Sequence, residues 1–452
     1  METPIYARLT DYHRKGRISF AMPGHKNMKG LVPKLLQCDV TELDATVDLH
    51  HECDTVKRAD KLLSELYQTR ASFIMTCGST AGIQTMLSSH LKPGDTVLAA
   101  ADCHMSVINT CAVCGFKLRL VPVALDSKFL IPRDIPDFDI TPDVKAMIIT
   151  SPNYYGIVKD IKAAAEKCHE AGILLFVDEA HGAHFIGSQE LPASAVSQGA
   201  DMVCQSAHKT LNALTGAAYL HVCGDSIDIK RVKRALRTFQ SSSPSYPIAA
   251  SADTARAELA EAGYCHIIDE CRQFREAIGR AAKIRVLDND DITRIVLSFA
   301  EYEITGFRVG KMLSEHFGID VEMSDYLNIV LIATPWNTHN EFMQLFSALI
   351  DICRMLAPRE KAVEILPPPV CAELIDPSEG WYAETETIEI DKAAGRISAA
   401  VVSAYPPGTA LAVTGAVITQ EQIEYIKTLK TAGAEITGLS GNGIEVVKWT
   451  EL

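Results

Sequence analysis

The chain has 452 residues, of which 47% are hydrophobic and 22% are charged, and its formal net charge is −14. Such a composition indicates a globular protein with a large core, and the absence of a clustered basic stripe excludes the nucleic-acid-binding classes, which need cations against phosphates. No uncharged apolar run reaches about 18 residues and the first residues lack the apolar stretch of a secretion signal, so we expect a cytoplasmic protein that binds no membrane.

Cysteine usage fits a reducing compartment. The 13 cysteines are scattered through apolar segments and their number is odd, which favours reduced, mostly buried thiols over a disulfide framework. The lone pair in CAVC, Cys111 and Cys114, is interpreted as part of a packed helix face, with metal or redox chemistry as the less favoured alternative. We predict no metal site.

Short apolar runs alternate with helix-length spacers between about residues 70 and 225. Runs of this kind, bounded by turn formers, are typical of strands in a largely parallel sheet, which predicts a doubly wound α/β fold. The runs are ASFIMTC, DTVLAA, KLRLVPV, KAMIITS, GILLFVDEA, ADMVCQS and GAAYLHV. Since ligands of such sheets bind beyond the carboxyl ends of the strands, the polar residues just after each run are the candidates for a site.

The character of the sequence changes after residues 241–263 and again at the proline cluster ILPPPV, 365–370. We therefore predict an N-terminal arm at 1–30, a large domain at 31–255, a small α+β domain at 256–365 and a C-terminal domain at 366–452.

The first candidate motif is TCGSTAGIQTML, 76–87, which follows an apolar run and opens a helix. Gly78 permits a tight turn, and Ser79 and Thr80 offer hydroxyl groups beside free amides, as a phosphate site at a helix N-terminus requires. An ordinary helix cap is an equally good interpretation of these residues alone.

The second motif, AADCHMSVIN at 100–109, brings His104 to the end of another apolar run. Its imidazole could lie over an aromatic cofactor, with Ala180 packing against the opposite face. A histidine that merely starts a helix is the alternative.

The third motif, LLFVDEAHGAHF at 174–185, puts Asp178 at the end of the most apolar run. A carboxylate there needs a cationic or hydrogen-bonding partner, and the protonated ring nitrogen of pyridoxal 5′-phosphate is one such partner. A structural or capping aspartate is the alternative. The letters DEAH also name a helicase motif, but no phosphate loop precedes them, so that interpretation fails.

The fourth motif is QSAHKTLNALTG, 205–216, and contains Lys209. Alone, this lysine is best interpreted as an exposed loop residue. Combined with an acid at one strand end and a phosphate-binding helix start upstream, it completes the parts of a pyridoxal phosphate site, because a lysine of depressed pKa can bind an aldehyde cofactor.

Taken together, these motifs resemble the Orn/Lys/Arg decarboxylase family of fold-type I pyridoxal-phosphate-dependent enzymes. The resemblance extends over most of the chain. It is carried by MPGHK (22–26), DVTEL (39–43), VDLHH (47–51), GST (78–80), CHMSV (103–107), DEAHGAH (178–184), SAHKTLNALTG (206–216), SSPSYP (242–247) and GRISAAVVSAYPPG (395–408).

The resemblance implies a homodimer or larger assembly with active sites at the subunit interface. It makes Lys209 the Schiff-base lysine, puts Asp178 on the pyridine nitrogen, stacks His104 on the ring and places His181 close to the cofactor. The residues implied around the phosphate are Ser79, Thr80, Ser206 and His208. Ser243 and Ser245 would reach the neighbouring subunit's site.

The chain departs from the family pattern where the substrate pocket is expected. Val47 replaces an acid and leaves Asp48, and Gly216 stands where glutamine is common. Near the C-terminus, the departures are Thr409, Ala410, Thr414 and Ala416.

The activity that the resemblance implies is decarboxylation of a basic amino acid, arginine, lysine or ornithine, to an amine and carbon dioxide, as in polyamine biosynthesis. Glu42, Asp44 and Asp48 are the candidates to hold the distal cation. The alternatives are an aminotransferase, in which Arg396 would bind the substrate carboxylate, another lyase of the same fold, or a catalytically silent paralogue that acts as an interaction partner.

Overall fold

The computed structural model describes residues 18–20, 38–42, 47–50, 53–135, 138–360, 375–404 and 410–448. Its strands are β1 Ile18–Phe20, β2 Ala71–Met75, β3 Thr96–Ala100, β4 Lys117–Val121, β5 Ala124–Leu125, β6 Pro132–Asp134, β7 Val144–Thr150, β8 Leu174–Asp178, β9 Met202–Gln205, β10 Ala218–Val222, β11 Arg285–Val286, β12 Arg294–Ser298, β13 Ile319–Val321, β14 Met323–Ser324, β15 Asn328–Ile332, β16 Thr385–Glu389, β17 Val402–Ala404, β18 Ala410–Ala412, β19 Ile436–Thr437, β20 Leu439–Ser440 and β21 Gly443–Val447. Its α-helices are α1 Asp54–Tyr67, α2 Gly78–His90, α3 Met105–Cys114, α4 Ile161–Glu170, α5 Ala207–Thr210, α6 Ile229–Phe239, α7 Tyr246–Ala262, α8 Cys265–Ala281, α9 Gly306–Met312, α10 His339–Arg354, α11 Pro377–Tyr382 and α12 Gln420–Ala432.

A seven-stranded sheet forms the centre, in the order β2-β10-β9-β8-β7-β3-β4. The neighbours from β9 to β4 pair in parallel, and β10 runs antiparallel to both β2 and β9. These are the seven apolar runs of the sequence, so the predicted mostly parallel sheet is confirmed. The carboxyl ends of every strand except β10 therefore meet at one edge.

Helices cover both faces of this sheet, which is why its strands are almost entirely apolar. Side chains alternate along β8: Phe176 packs with residues of α2, α3 and α6, whereas Leu175 and Val177 pack with α4 on the other face. The pair Cys111 and Cys114 lies in α3, with Cys111 fully buried, as the packed-helix interpretation expected.

Two further units complete the described part of the chain. The sheet β11-β12-β15-β14 is antiparallel, and residues of α8 and α10 pack with it in a core that also includes α1 and α7. Strand β1 pairs in parallel with β13. The third unit has the sheets β16-β21-β20 and β18-β17-β19 and a core with α12.

The predicted domain boundaries stay a prediction. Helix α7 runs continuously through the boundary that we placed at residue 255. Within the described ranges, no helix has both the length and the apolar character needed to cross a bilayer.

Candidate active site

A small cavity opens at the carboxyl edge of the central sheet. Six of the predicted site residues line it: Ser79, His104, Asp178, Ala180, His181 and Lys209. They come from the ends of four strands, since Ser79 follows β2, His104 follows β3, Lys209 follows β9 and the other three lie at or just after the end of β8. The structure thus brings together residues that lie 130 positions apart in the printed sequence.

The start of α2 contributes the Ser79 hydroxyl group to this cavity. Gly78 has φ of 74°, a left-handed conformation suited to glycine, and its amide donates to the carbonyl of Gly216 (2.8 Å). The Ser206 hydroxyl donates to Ser79 Oγ at 2.9 Å, which joins the β9 end to α2. Because the first amides of a helix have no acceptor within it, this corner has the donors that a phosphate needs.

Gly216, a departure from the family pattern, has a conformational reason. Its φ is 97°, and a Cβ there would approach the Thr76 carbonyl oxygen to 3.1 Å. Glycine is therefore favoured at this position because the backbone bends where a side chain has no room.

Asp178 is buried at the end of β8, with 3% of its surface exposed. Its Oδ1 accepts a hydrogen bond from the Ala180 amide (3.1 Å), which fixes the carboxylate as the chain leaves the strand. A buried carboxylate facing a cavity is suited to a cationic partner there.

Lys209 lies in the short helix α5 with its Nζ 3.1 Å from His181 Nε2. Burial lowers the pKa of the Lys209 amine, although the charges of Asp178 and Glu322 oppose the shift. The Tyr154 ring centre lies 5.6 Å from Nζ. This lysine is an enclosed amine rather than the exposed loop residue that its motif alone suggested.

His181 lies between Lys209 and the four-stranded sheet β11-β12-β15-β14, called the second sheet below. Its Nδ1 is 3.0 Å from Nη2 of Arg294, and its ring packs against Tyr154 with ring centres 4.4 Å apart. Burial, followed by the charges of Lys209 and Arg294, holds the pKa of His181 well below its usual value.

His104 starts a helix, as the alternative interpretation of its motif expected, and it also lies at the cavity. It caps α3, since its Nδ1 accepts from the Ser106 amide (3.2 Å) and contacts Ser106 Oγ (2.8 Å), and its ring also lines the cavity. Burial lowers the pKa of His104, the Lys209 charge lowers it further, and Asp178 opposes the shift. Its stacking on a cofactor stays a prediction.

Other predicted residues lie at the margin of the site or away from it. Thr80 is exposed on the first turn of α2, and His208 is buried with Nδ1 2.9 Å from the Ala217 carbonyl oxygen. Ser243 is exposed and Ser245 precedes α7, and neither lines the cavity. Their contribution to a neighbouring subunit stays a prediction.

The acidic segment, which includes Glu42 and Asp48, contacts the serine stretch at residues 241–246. Tyr246 at the start of α7 donates to Glu42 Oε1 (3.2 Å). Asp48 accepts from the His50 amide (2.8 Å), and His50 Nε2 is 2.6 Å from the Ser241 carbonyl oxygen. Asp44 and Thr409 lie outside the described residues.

Sequence reasoning missed two features of the site. One is the buried ion pair of Lys159 and Asp102, in which Nζ is 2.6 Å from both carboxylate oxygens and each side chain is 2% exposed. The position of Asp102 directly after β3 was a usable signal. The other is Arg294, which is 1% exposed at the start of β12 and comes from a part of the chain with no motif.

Comparison with known proteins identifies the class. A family model described as Orn/Lys/Arg decarboxylase, major domain, matches residues 3–302, and the C-terminal domain model of the same family matches 376–446. The solved constitutive lysine decarboxylase of E. coli has a TM-score of 0.73 at 18% identity, covering 99% of this chain and 82% of that one. The large sheet is therefore that of fold-type I pyridoxal-phosphate-dependent enzymes.

Two sequence relatives narrow the assignment. The chain is 31% identical over 467 residues to an arginine decarboxylase of Bacillus anthracis, covering 97% of this chain and 95% of that protein. It is 29% identical over 478 residues to an arginine decarboxylase of Bacillus subtilis, covering 99% and 97%. The chain belongs to the Orn/Lys/Arg decarboxylase family. The predicted family, the predicted fold class and the expectation of an amino-acid decarboxylase are confirmed.

Proposed function

We propose that the chain decarboxylates a basic amino acid and that it holds pyridoxal 5′-phosphate in the Lys209 cavity. One observation carries the proposal: an enclosed lysine of lowered pKa faces the same cavity as the buried carboxylate of Asp178. In a fold shared with pyridoxal-phosphate enzymes, these two groups would hold the two reactive ends of that cofactor.

The chemistry of the donor set fits the cofactor. Lys209 offers an amine for its aldehyde, Asp178 offers a carboxylate for its ring nitrogen, and Ser79 with Ser206 offers hydroxyl groups for its phosphate. His104 and Ala180 both line the cavity and are suited to enclose a flat ring. When bound, pyridoxal phosphate supplies the electron sink that makes loss of carbon dioxide feasible.

The residues of the chain then have distinct tasks. Asp178 keeps a proton on the ring nitrogen, which a neutral neighbour could not do. The lowered pKa of Lys209 makes its Nζ easier to deprotonate than that of an ordinary lysine, so Nζ can act as a base and, once protonated, as a proton donor. Tyr154 and His181, packed together, close one side of the cavity and limit the access of water.

The proposed substrate is arginine, lysine or ornithine. The family and the names of the two Bacillus relatives support a cationic substrate. Glu42 and Asp48 do not line the cavity of their own subunit, so they would bind the distal cation across a subunit interface, where Ser243 and Ser245 would also act. A charge-assisted contact of this kind changes specificity by about ten- to a hundredfold.

Steady-state kinetics on arginine, lysine, ornithine, leucine and phenylalanine test the substrate. We expect the highest kcat/KM for a basic amino acid, with carbon dioxide and the amine as products. Glu42→Gln and Asp48→Asn should reduce kcat/KM for that substrate, whereas the exposed Asp39→Asn should not. A neutral amino acid with the highest kcat/KM would refute the substrate class and leave the decarboxylase intact.

An aminotransferase is the weaker alternative. Its carboxylate-binding candidate, Arg396, forms an ion pair with Glu386 (2.6 Å) and donates to the Val447 carbonyl oxygen, and it does not line the cavity. A keto acid formed only in the presence of an amino acceptor would favour this alternative. A chain that neither takes up cofactor nor turns over any amino acid would favour the silent paralogue.

We further propose a cytoplasmic homodimer or larger homo-oligomer that supplies amines for polyamine biosynthesis. The cysteines of the described residues, twelve in number, are all free thiols, which supports a reducing compartment. The juxtaposition of the acidic segment with the serine stretch supports a shared interface. Light scattering at several protein concentrations tests the assembly, and a monomer at assay concentration would contradict it.

A further inference from the structure

Two successive contacts connect the second sheet to the reactive amine, from Arg294 to His181 and from His181 to Lys209. Arg294 Nη2 is 3.0 Å from His181 Nδ1, and His181 Nε2 is 3.1 Å from Lys209 Nζ. Arg294 and His181 are buried, at 1% and 2% exposure. Turning the ring over would direct carbon atoms at both partners, so the observed orientation is the one that makes both contacts.

Because Arg294 can only donate hydrogen bonds, it determines where the hydrogens lie in both contacts. A guanidinium stays protonated and can only donate, so Nδ1 of His181 must accept. A neutral imidazole that accepts at Nδ1 carries its hydrogen on Nε2. That Nε2–H then points at Lys209 Nζ, which can accept it only through a lone pair, and an ammonium group has none.

We infer that Arg294 is a positioning residue that fixes His181 as the Nε2–H tautomer and thereby holds the free amine of Lys209 in its neutral, nucleophilic form. The inference rests on the proposed function in that it takes Lys209 to be the reactive amine.

The charges around Lys209 are consistent with this arrangement. Burial and Arg294 lower the pKa of its amine, while Asp178, Glu322 and Cys204 raise it. Burial also keeps the two facing histidines, His181 and His104, below their usual pKa values. At Lys209, burial and Arg294 outweigh the two carboxylates and the thiol, so the net shift favours the neutral amine. At the two histidines, the net shift favours the neutral imidazole.

The hydrogen bonding and packing of Arg294 direct its guanidinium at His181. Its Nε and Nη1 have no hydrogen-bond partner in the part of the chain that the structure describes, so the bond to His181 is the one its guanidinium makes there. Its aliphatic stem packs under Gly156, where an added Cβ would come within 2.7 Å of Arg294 Cβ. Its amide donates to the Asp291 carbonyl oxygen (3.0 Å), which anchors the start of β12.

Competitive acetylation of the full-length chain, purified without cofactor, tests the inference. Acetic anhydride labels only neutral amines, and mass spectrometry compares Lys209 with the exposed Lys162 in the same digest. We expect Arg294→Met to lower the fraction of neutral Lys209 near pH 7 by about tenfold or more, since one pKa unit is a factor of ten. Arg294→Lys, which retains a cationic donor, should restore most of the labelling.

Two further results separate a positioning role from a structural one. In a His181→Ala background, Arg294→Met should have a smaller effect on Lys209, because the histidine is the intermediary. Unchanged labelling in a folded Arg294→Met variant would overturn the inference. If that variant does not fold, 15N labelling of histidine in the unmodified chain decides the question, since a hydrogen on Nδ1 of His181 contradicts the proposed tautomer.

Failure of the inference differs from failure of the proposed function. If Lys209 is not the reactive amine, the visible absorption of bound pyridoxal phosphate will either be absent from the unmodified chain or persist in Lys209→Ala. If only the inference fails, that absorption appears and the acetylation profile is insensitive to Arg294.

Discussion

Two lysines approach the carboxyl edge of the central sheet and meet different partners. Lys159 Nζ lies 2.6 Å from both carboxylate oxygens of Asp102, whereas Lys209 Nζ lies 3.1 Å from an imidazole nitrogen of His181. Lys159 is buried and Lys209 is partly buried. Their partners differ in kind, because a carboxylate accepts hydrogen bonds from an ammonium group, whereas an imidazole N–H needs the lone pair of a neutral amine.

The strongest way to break this contrast is to exchange Lys209 for alanine. Lys209→Ala should lose the visible absorption of bound pyridoxal phosphate and reduce kcat by about four orders of magnitude or more, since the nucleophile is gone. Lys162→Ala, on the exposed face of α4, should change neither quantity. Retained absorption in Lys209→Ala would show that another residue binds the cofactor.

Asp178 tests the acidic half of the same cavity. Asp178→Asn should retain cofactor, because the side chain is isosteric, yet slow turnover by about three orders of magnitude, since a neutral neighbour does not keep the ring nitrogen protonated. Absorption spectra and steady-state kinetics measure the two effects separately. Full activity in this variant would remove Asp178 from the site.

The Lys159–Asp102 pair should respond as a structural pair. Lys159→Met leaves a buried carboxylate without its partner and should cost about 3–5 kcal/mol in the free energy of unfolding, measured by urea denaturation. The double variant with Asp102→Leu should recover much of that loss.

A matched control for this pair exists on the surface of α1. Lys61 and Glu65 form an exposed pair at 3.5 Å, and Lys61→Met should have little effect on stability. If the double variant of the buried pair is as unstable as the single one, the loss comes from packing rather than from an unpaired charge.

Glu179, the residue after Asp178, gives the smallest predicted effect. Burial raises the pKa of Glu179 to about 7, although hydrogen bonds from Ser194, Gln205 and the Ala195 amide oppose the shift. The folded state therefore binds this proton more tightly than the unfolded state does. The resulting stabilisation is complete below about pH 4.5 and is lost as the pH rises through about 7.

Glu179→Gln should remove that dependence. Relative to this variant, the unmodified chain should lose about 3 kcal/mol of unfolding free energy as the pH rises across that window. Thermal or urea unfolding at several pH values measures it. Parallel profiles for the two proteins would contradict the raised pKa.

The central sheet was predictable because its signals are local. Most of its strands are short apolar runs buried on both faces, and Asp178 and His104 lie at the ends of such runs, so their convergence at one edge follows from parallel topology. The catalytic roles of these residues stay predictions.

Contacts between distant segments had no comparable signal. Arg294 reaches His181 across 113 residues and lies in an ordinary strand of the second sheet. Lys159 reaches Asp102 across 57 residues. These charges meet only when separate elements pack together. The spacing of apolar residues along the sequence does not predict that packing.

The remote origin of Arg294 has a consequence for the growing polypeptide on the ribosome. The central sheet is complete when β10 ends at Val222, well before residue 294 has been made. Domains fold as units during synthesis, N-terminal units first. If Arg294 sets the tautomer of His181, a nascent chain carries an unactivated lysine until the second sheet has docked, and the amine becomes reactive only in a chain whose two sheets have assembled.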